Sequence, residues 1–473
     1  MDIGEGIHIM KNVLLLALDK NIVDAVLTKT DWHISALIMP DDMRIAPYLG
    51  NPRIRQTYTR YDFHKNKDLS GLDFSELEKF FYAQLRSENF FLRFINDYQI
   101  AKYDYYLGFA LATRIFKENH IDLVVVDGFN EGRPSDMLLT EIARNRDIPC
   151  YSLEPMFLGK SGIYDNLKKQ MISIRRNDPI SMEGTLFYAF SANKLADDVV
   201  FHHSILQNPF ARRIENIVYS VLGQVGVDFC SCLYTMSNRK NTMGVKFTER
   251  FFLFLDARKI KKWLMKHAKT PNLEEKYIFF SLHYEPEATV SGRGLIDSQL
   301  VALRILSQVL PDGWHIYVKE HPHQLNYNER VLYGYPWATY KTLRFYEEII
   351  RLPNVILVDT MEPSKNLIQR SQAVASLSGT AIGEAISFKK PIMVFAPKQT
   401  LYSMLRESYN IYSYDECLMA VNSIRQNCEN GVCPSYDEWE SLCQQYLFNM
   451  DAQGYEEAIS SLVHELATTY TDH

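Results

Sequence analysis

Trp314-His315-Ile316-Tyr317-Val318-Lys319-Glu320-His321-Pro322-His323 is the stretch on which the fold turns. Its first half is short, largely apolar and preceded by the breaker Pro311-Asp312-Gly313, which reads as a buried strand. Its second half is a polar turn stiffened by Pro322. Upstream, Tyr277 to Leu282 is another strand-like run and Ile296 to Leu310 has a helical pattern. Downstream, Thr342 to Arg351 reads as helix, Val355 to Val358 as strand and Ser364 to Arg370 as helix. Ala373 to Ser376 and Pro391 to Phe395 read as strands, with a helix opening at Ser378-Gly379-Thr380 between them. Such alternation predicts a parallel sheet covered on both faces.

The first part of the chain repeats the pattern. Val13 to Leu18, Ile34 to Met39, Asp122 to Val126 and a short run at Pro149 to Leu153 read as strands, with helices at Phe74 to Glu118 and Asp136 to Arg144. Ser191 to Thr270 reads as helical, and Leu401 to Thr468 as wholly helical. The expected class is α/β: two Rossmann-like domains facing a cleft, with a helical middle segment and a helical C-terminal tail. The boundaries are expected at 1–270, 271–395 and 396–473, the tail packing back on both domains.

Composition narrows the function. The 473 residues carry 51 Lys+Arg against 57 Asp+Glu, a net charge of −6, which argues against an electrostatic nucleic-acid binder. With 47% hydrophobic and 23% charged residues, the chain is neither disordered nor collagen-like. No run approaches the roughly 20 apolar residues of a membrane span. Val13 to Leu18 is too short for a secretion signal and follows acidic Asp2 and Glu5, so a cytoplasmic location is expected. The 7 cysteines lack the spacing of a zinc site, whether at Cys230 and Cys232 or at Cys428 and Cys433, and are expected to be reduced thiols. Arg258, Lys259, Lys261, Lys262, Lys266 and Lys269 crowd one helical segment beside Trp263, Leu264 and Met265. It reads better as a solvated helix with an apolar core face than as a contact with an anionic membrane.

Ligands of such sheets sit at the carboxyl ends of the strands, so the polar residues there are the candidates. Lys319, His321 and His323 follow one strand, and a cation with imidazoles there suits phosphate oxygens. Ser378, Gly379 and Thr380 open a helix whose free N–H groups favour an anion, and Glu384 one turn later could accept from ribose hydroxyls. His283, Glu285, Glu287 and Thr289 follow a third strand and would face a sugar or base. In the first domain Asp127 and Glu154 end strands, opposite the nucleotide, where a general base for an alcohol acceptor belongs.

The second half resembles the capsule polysaccharide biosynthesis glycosyltransferases, whose best-known members transfer Kdo onto a lipid-linked precursor. The pieces stand in that family's order: His283-Tyr284-Glu285-Pro286-Glu287, Lys319-Glu320-His321-Pro322, Arg344-Phe345-Tyr346, Leu352-Pro353-Asn354-Val355, Ser378-Gly379-Thr380 with Glu384-Ala385, and Lys390-Pro391. Leu153-Glu154-Pro155-Met156-Phe157-Leu158-Gly159 looks like the family's Glu-containing motif, with Pro155-Met156 where a glycine usually follows; Asp127-Gly128-Phe129 is the alternative match. The resemblance implies a GT-B fold with the nucleotide held by the second domain. His321 would contact the donor phosphate, Ser378, Gly379 and Thr380 would cradle it, and Lys319 would add charge. Glu154 or Asp127 would be catalytic.

The expected activity is a metal-independent glycosyltransferase with no cofactor beyond its nucleotide-sugar donor. CMP-linked Kdo is the family's best-known donor, and UDP and GDP sugars are open. The acceptor would be a surface polysaccharide or its lipid-linked precursor, placing the enzyme at the inner face of the cytoplasmic membrane. A sugar-nucleotide epimerase, a polyol-phosphate transferase and a non-catalytic nucleotide-binding scaffold are the competing functions.

Overall fold

Val13, Leu14, Leu15 and Leu16 are all fully buried, and they alternate between two cores. Leu123, Val124, Val125 and Val126 do the same. Successive strand side chains point to opposite faces, so a run apolar throughout forms only where both faces are covered. A computed structural model describes residues 10–92, 98–128, 133–157, 159–176, 178–181, 247–283, 285, 295–296, 298–321, 324, 341–360, 362–377, 379–395, 397–398 and 400–471.

The first sheet holds β1 (Asn12–Leu16), β2 (His33–Met39), β3 (Ile54–Thr59), β4 (Leu123–Asp127), β5 (Cys150–Phe157), β6 (Lys160–Asp165) and β7 (Gln170–Ile172). Its order is β14-β6-β5-β4-β1-β2-β3, with β7 beside β6 and β14 (Leu447–Asn449) arriving from the far end of the chain. The five strands from β3 to β5 run parallel; β6, β7 and β14 are antiparallel additions. Helices α1 (Lys20–Lys29), α2 (Tyr98–Glu118) and α3 (Pro134–Asn145) belong to this lobe.

Next in the described chain is α4 (Phe247–His267), which packs Ile260 and Leu264 into the second core and stacks Trp263 on His267. Arg258, Lys259, Lys262 and Lys266 lie on its exposed side. Most of the helical middle expected at Ser191 to Thr270, its residues 191–246, falls outside the described residues.

The second sheet contains β8 (Lys276–Ser281), β9 (Trp314–Lys319), β10 (Val355–Leu357), β11 (Ala373–Ser376), β12 (Ile392–Phe395) and β13 (Ser408–Ile411). Every neighbouring pair is parallel, in the order β10-β9-β8-β11-β12-β13. Numbered from its own first strand, that order is 3-2-1-4-5-6, the Rossmann arrangement. Ile278, Phe280, Ile316 and Val318 face one core, while Tyr277, Phe279 and Tyr317 face the other. The connections include α5 (Gln299–Val309), α6 (Leu343–Ile350), α7 (Ser364–Arg370) and α8 (Thr380–Ser387).

The stretch from Leu401 is mostly helical, through α9 (Tyr414–Glu429), α10 (Trp439–Tyr446) and α11 (Ala452–Thr471). It is not wholly so, because β13 and β14 interrupt it. The expected strand at Pro149 to Leu153 is also longer than its sequence pattern suggests. Beyond Leu153 it leaves β4 and continues against β6 alone, carrying Glu154 opposite Gly162. Among the described residues, no helix is long and apolar enough to cross a membrane.

Candidate functional site

In a 3-2-1-4-5-6 sheet the connections diverge between the first and fourth strands, and the crevice at their carboxyl ends is where ligands bind. Here those strands are β8 and β11. Ser281-Leu282-His283 leaves one and Ser376-Leu377 leaves the other, so the topology alone places His283 beside the turn at Gly379.

The contact is close. A Cβ built on Gly379 would stand 2.5 Å from His283 Cε1. Gly379 has φ 104° and ψ 177°, a conformation open essentially only to glycine. It caps α8 without a side-chain hydrogen bond, so no side chain competes for the first-turn amides of that helix. Ser376 Oγ donates to the Ser281 carbonyl at 3.0 Å and lies 3.1 Å from His283 Nε2. The Ser376 hydroxyl thus links the end of β8 to the His283 ring.

A polar network holds the loop after β8. Gln299, at the start of α5, accepts from His283 N at 2.6 Å and donates to Glu285 Oε1. Gln324 accepts from Glu285 N at 2.8 Å and returns a bond to the Glu285 carbonyl at 3.1 Å. Lys341 Nζ donates to the His283 carbonyl and to both oxygens of Glu320, at 2.9 and 3.1 Å. Both side chains of that pair are 0% exposed. Glu320 also accepts from Tyr346 OH at 2.7 Å and from His321 N at 2.6 Å. The loops after β8 and β9 thus share one buried ion pair.

Lys319, the last residue of β9, donates to Ser364 Oγ at 2.9 Å. Burial pulls its ammonium down to about 8, against the opposing pull of Glu384, Glu362 and Asp359. Burial likewise lifts the partly buried Glu384 to about 7, and Lys319 opposes that rise. Between pH 4.5 and about 7 the folded protein keeps a proton on Glu384 that the unfolded chain has lost, so stability falls as pH rises through that window. Urea melts across those pH values should show this decline in the native protein and a smaller one in Glu384→Gln; parallel slopes would refute it.

In the first lobe, Asp127 ends β4 and is 1% exposed. Its Oδ2 accepts from the amides of Leu18 and Asp19 at 3.0 and 3.2 Å, and its Oδ1 from Tyr455 OH at 3.0 Å. Desolvation lifts its carboxyl above the usual range, and these bonds oppose the lift. Glu154 is 9% exposed and accepts from Ser152 Oγ at 3.0 Å.

Of the sequence candidates, His283 and Gly379 meet directly. Glu285 and His321 are tied to them through Gln299, Gln324, Glu320 and Lys341, and Thr380 follows Gly379 as the first residue of α8. Lys319 and Glu384 are coupled electrostatically. Ser378, His323, Glu287 and Thr289 fall outside the described residues. Sequence reading missed Ser376, Gln299 and Lys341. Ser376 had a visible signal, a polar residue ending a buried strand; the other two had none.

No protein-family model matches this sequence, and no curated protein matches it. The beta Kdo 2,7 transferase KpsC of Thermosulfurimonas dismutans is 15% identical with a TM-score of 0.30, over 75% of this chain and 88% of that one. The UDP-GlcNAc 2-epimerase of Methanocaldococcus jannaschii is 10% identical with a TM-score of 0.23, over 96% and 100%. The calicheamicin glycosyltransferase CalG4 is 12% identical with a TM-score of 0.25, over 97% and 98%. The parallel sheet in 3-2-1-4-5-6 order identifies the fold of the second lobe by itself.

Proposed function

We propose that the chain is a nucleotide-sugar-dependent glycosyltransferase that builds a surface polysaccharide or its lipid-linked precursor. The observation that supports it is the meeting of His283, Ser376 and the Gly379 turn where the second sheet reverses its strand order. The donor phosphate lies on the amides opening α8, with Lys319 supplying positive charge and His321 a ring N–H at the carboxyl edge of the same sheet. No metal ion is needed in this scheme.

Glu154 takes the proton from an acceptor hydroxyl. The oxygen attacks the anomeric carbon, the bond to the donor phosphate breaks, and the phosphate leaves with the electron pair. Asp127 is the weaker choice as base because its oxygens already hold two amides and the Tyr455 hydroxyl. Its part is to fix the turn after β1.

The purified protein should be stabilised by one nucleotide among CMP, UDP and GDP and should slowly hydrolyse the matching sugar donor. Glu154→Gln should keep nucleotide affinity and lose transfer by about 10²–10⁴-fold, the usual worth of a positioned base. Full transfer by that variant would move the base elsewhere. Interconversion of UDP-GlcNAc without any acceptor would make the protein an epimerase, and nucleotide binding without turnover would make it a scaffold.

A further inference from the structure

The first sheet also reverses its strand order, between β1 and β4, and a second charged cluster stands at that edge. Arg60 directly follows β3, and its Nη2 reaches the Asp127 carbonyl at 3.4 Å. Arg133 is the cap of α3, a twelve-residue helix that begins with Pro134. Both guanidinium groups approach one carboxylate oxygen, Asp136 Oδ2, at 3.8 and 3.9 Å. Asp136 is 0% exposed and accepts from Ser135 Oγ at 2.8 Å.

These are long separations for Arg–carboxylate pairs, which normally close to about 2.7–2.9 Å in a two-pronged fit. Arg60 Nε and Arg133 Nη1 are shielded from water and have no hydrogen-bond partner among the described residues. The second carboxylate nearby, Asp127, is already satisfied by two amides and a hydroxyl. Two guanidinium groups therefore share Asp136. Buried N–H donors are almost always satisfied, so two orphans at one spot call for an acceptor. Arg133 opens the cluster to solvent, with 32% of its side chain exposed. Its place at the head of α3 adds the uncapped amides of the first turn. The guanidinium fork matches the flat carboxylate and the phosphate alike.

We propose that Arg60 and Arg133 hold an oxyanion, a carboxylate or phosphate carried by the acceptor, at the strand-order reversal of the first sheet. That the anion belongs to an acceptor rests on the transferase reading; the oxyanion site does not. An acidic sugar or a phosphate-bearing precursor would be oriented by this grip before its hydroxyl is deprotonated.

Calorimetric titration of the full chain with glucuronate and with methyl phosphate tests the site, with CMP, UDP and GDP titrated in parallel. The wild type should bind at least one of the two anions, and which one names the source. Arg133→Gln should weaken that binding tenfold or more at unchanged nucleotide affinity and unchanged melting temperature. Arg133→Lys, which keeps the charge but not the fork, should fall between. Equal anion affinity in the wild type and Arg133→Gln, or no binding of either anion by the wild type, would overturn the proposal. Arg133-dependent anion binding without any nucleotide binding would sink the transferase reading and leave the oxyanion site standing.

Discussion

Lys341→Met is expected to destabilise the second lobe by about 3–5 kcal/mol, the cost of leaving a buried charge without its partner. Glu320 and Lys341 are both fully buried, and Lys341 bonds both carboxylate oxygens. Tyr346 and the His321 amide remain after the substitution, but neither carries charge. Removing both charges together should restore much of the loss, because an apolar pair of similar volume often equals a buried ion pair. Urea melts of Lys341→Met, Glu320→Leu and the double variant close the cycle. Additive losses would mean that the pair is not coupled. The restored double variant should still bind nucleotide poorly, since His283 loses the donor to its carbonyl and His321 the acceptor for its amide.

Gly379→Ala should be the most damaging small change at the site. The φ of 104° and ψ of 177° belong to a region that other residues enter at a cost of roughly 1–3 kcal/mol. The added methyl would also meet the His283 ring at 2.5 Å, and that ring is tethered by Ser376. Either the turn flattens or the imidazole leaves its hydroxyl partner, and both displace the amides that open α8. Nucleotide affinity should fall at least tenfold, with a lower melting temperature. Native affinity in this variant would show that the turn does not touch the ligand.

Most of the strands that sequence alone reveals are covered on both faces, with the short apolar edge strand β10 as an exception. β1, β4, β8 and β9 are nearly unbroken apolar runs because each stands inside its sheet, and their length of five or six residues with turn residues beside them favours strand over helix. β3 and β13 escaped because each is an edge strand, part-exposed and mixed in polarity. β6 is buried throughout, yet Lys160, Ser161, Gly162 and Asp165 give it no apolar signature. The site shows the same division. Residues that leave strand ends, such as His283 and Gly379, follow from the alternation of elements. Lys341 does not, because a lone lysine reads as solvated until a carboxylate 21 residues away is seen to be buried with it.

One feature reaches beyond the site. The first sheet takes β14 as its edge strand and Tyr455 as a partner of Asp127, 328 residues apart in sequence. Between them the chain builds the whole second sheet. During synthesis the first lobe therefore waits, with the open edge of β6 available to any stray strand, until β14 and Tyr455 have left the ribosome. Such late ring closure makes its assembly slow and vulnerable to wrong pairing. A shortened product ending near residue 446 would keep the β8–β13 strands with α10 packed against them and would lack β14 and α11, and protease digestion should consume the first sheet and spare the second.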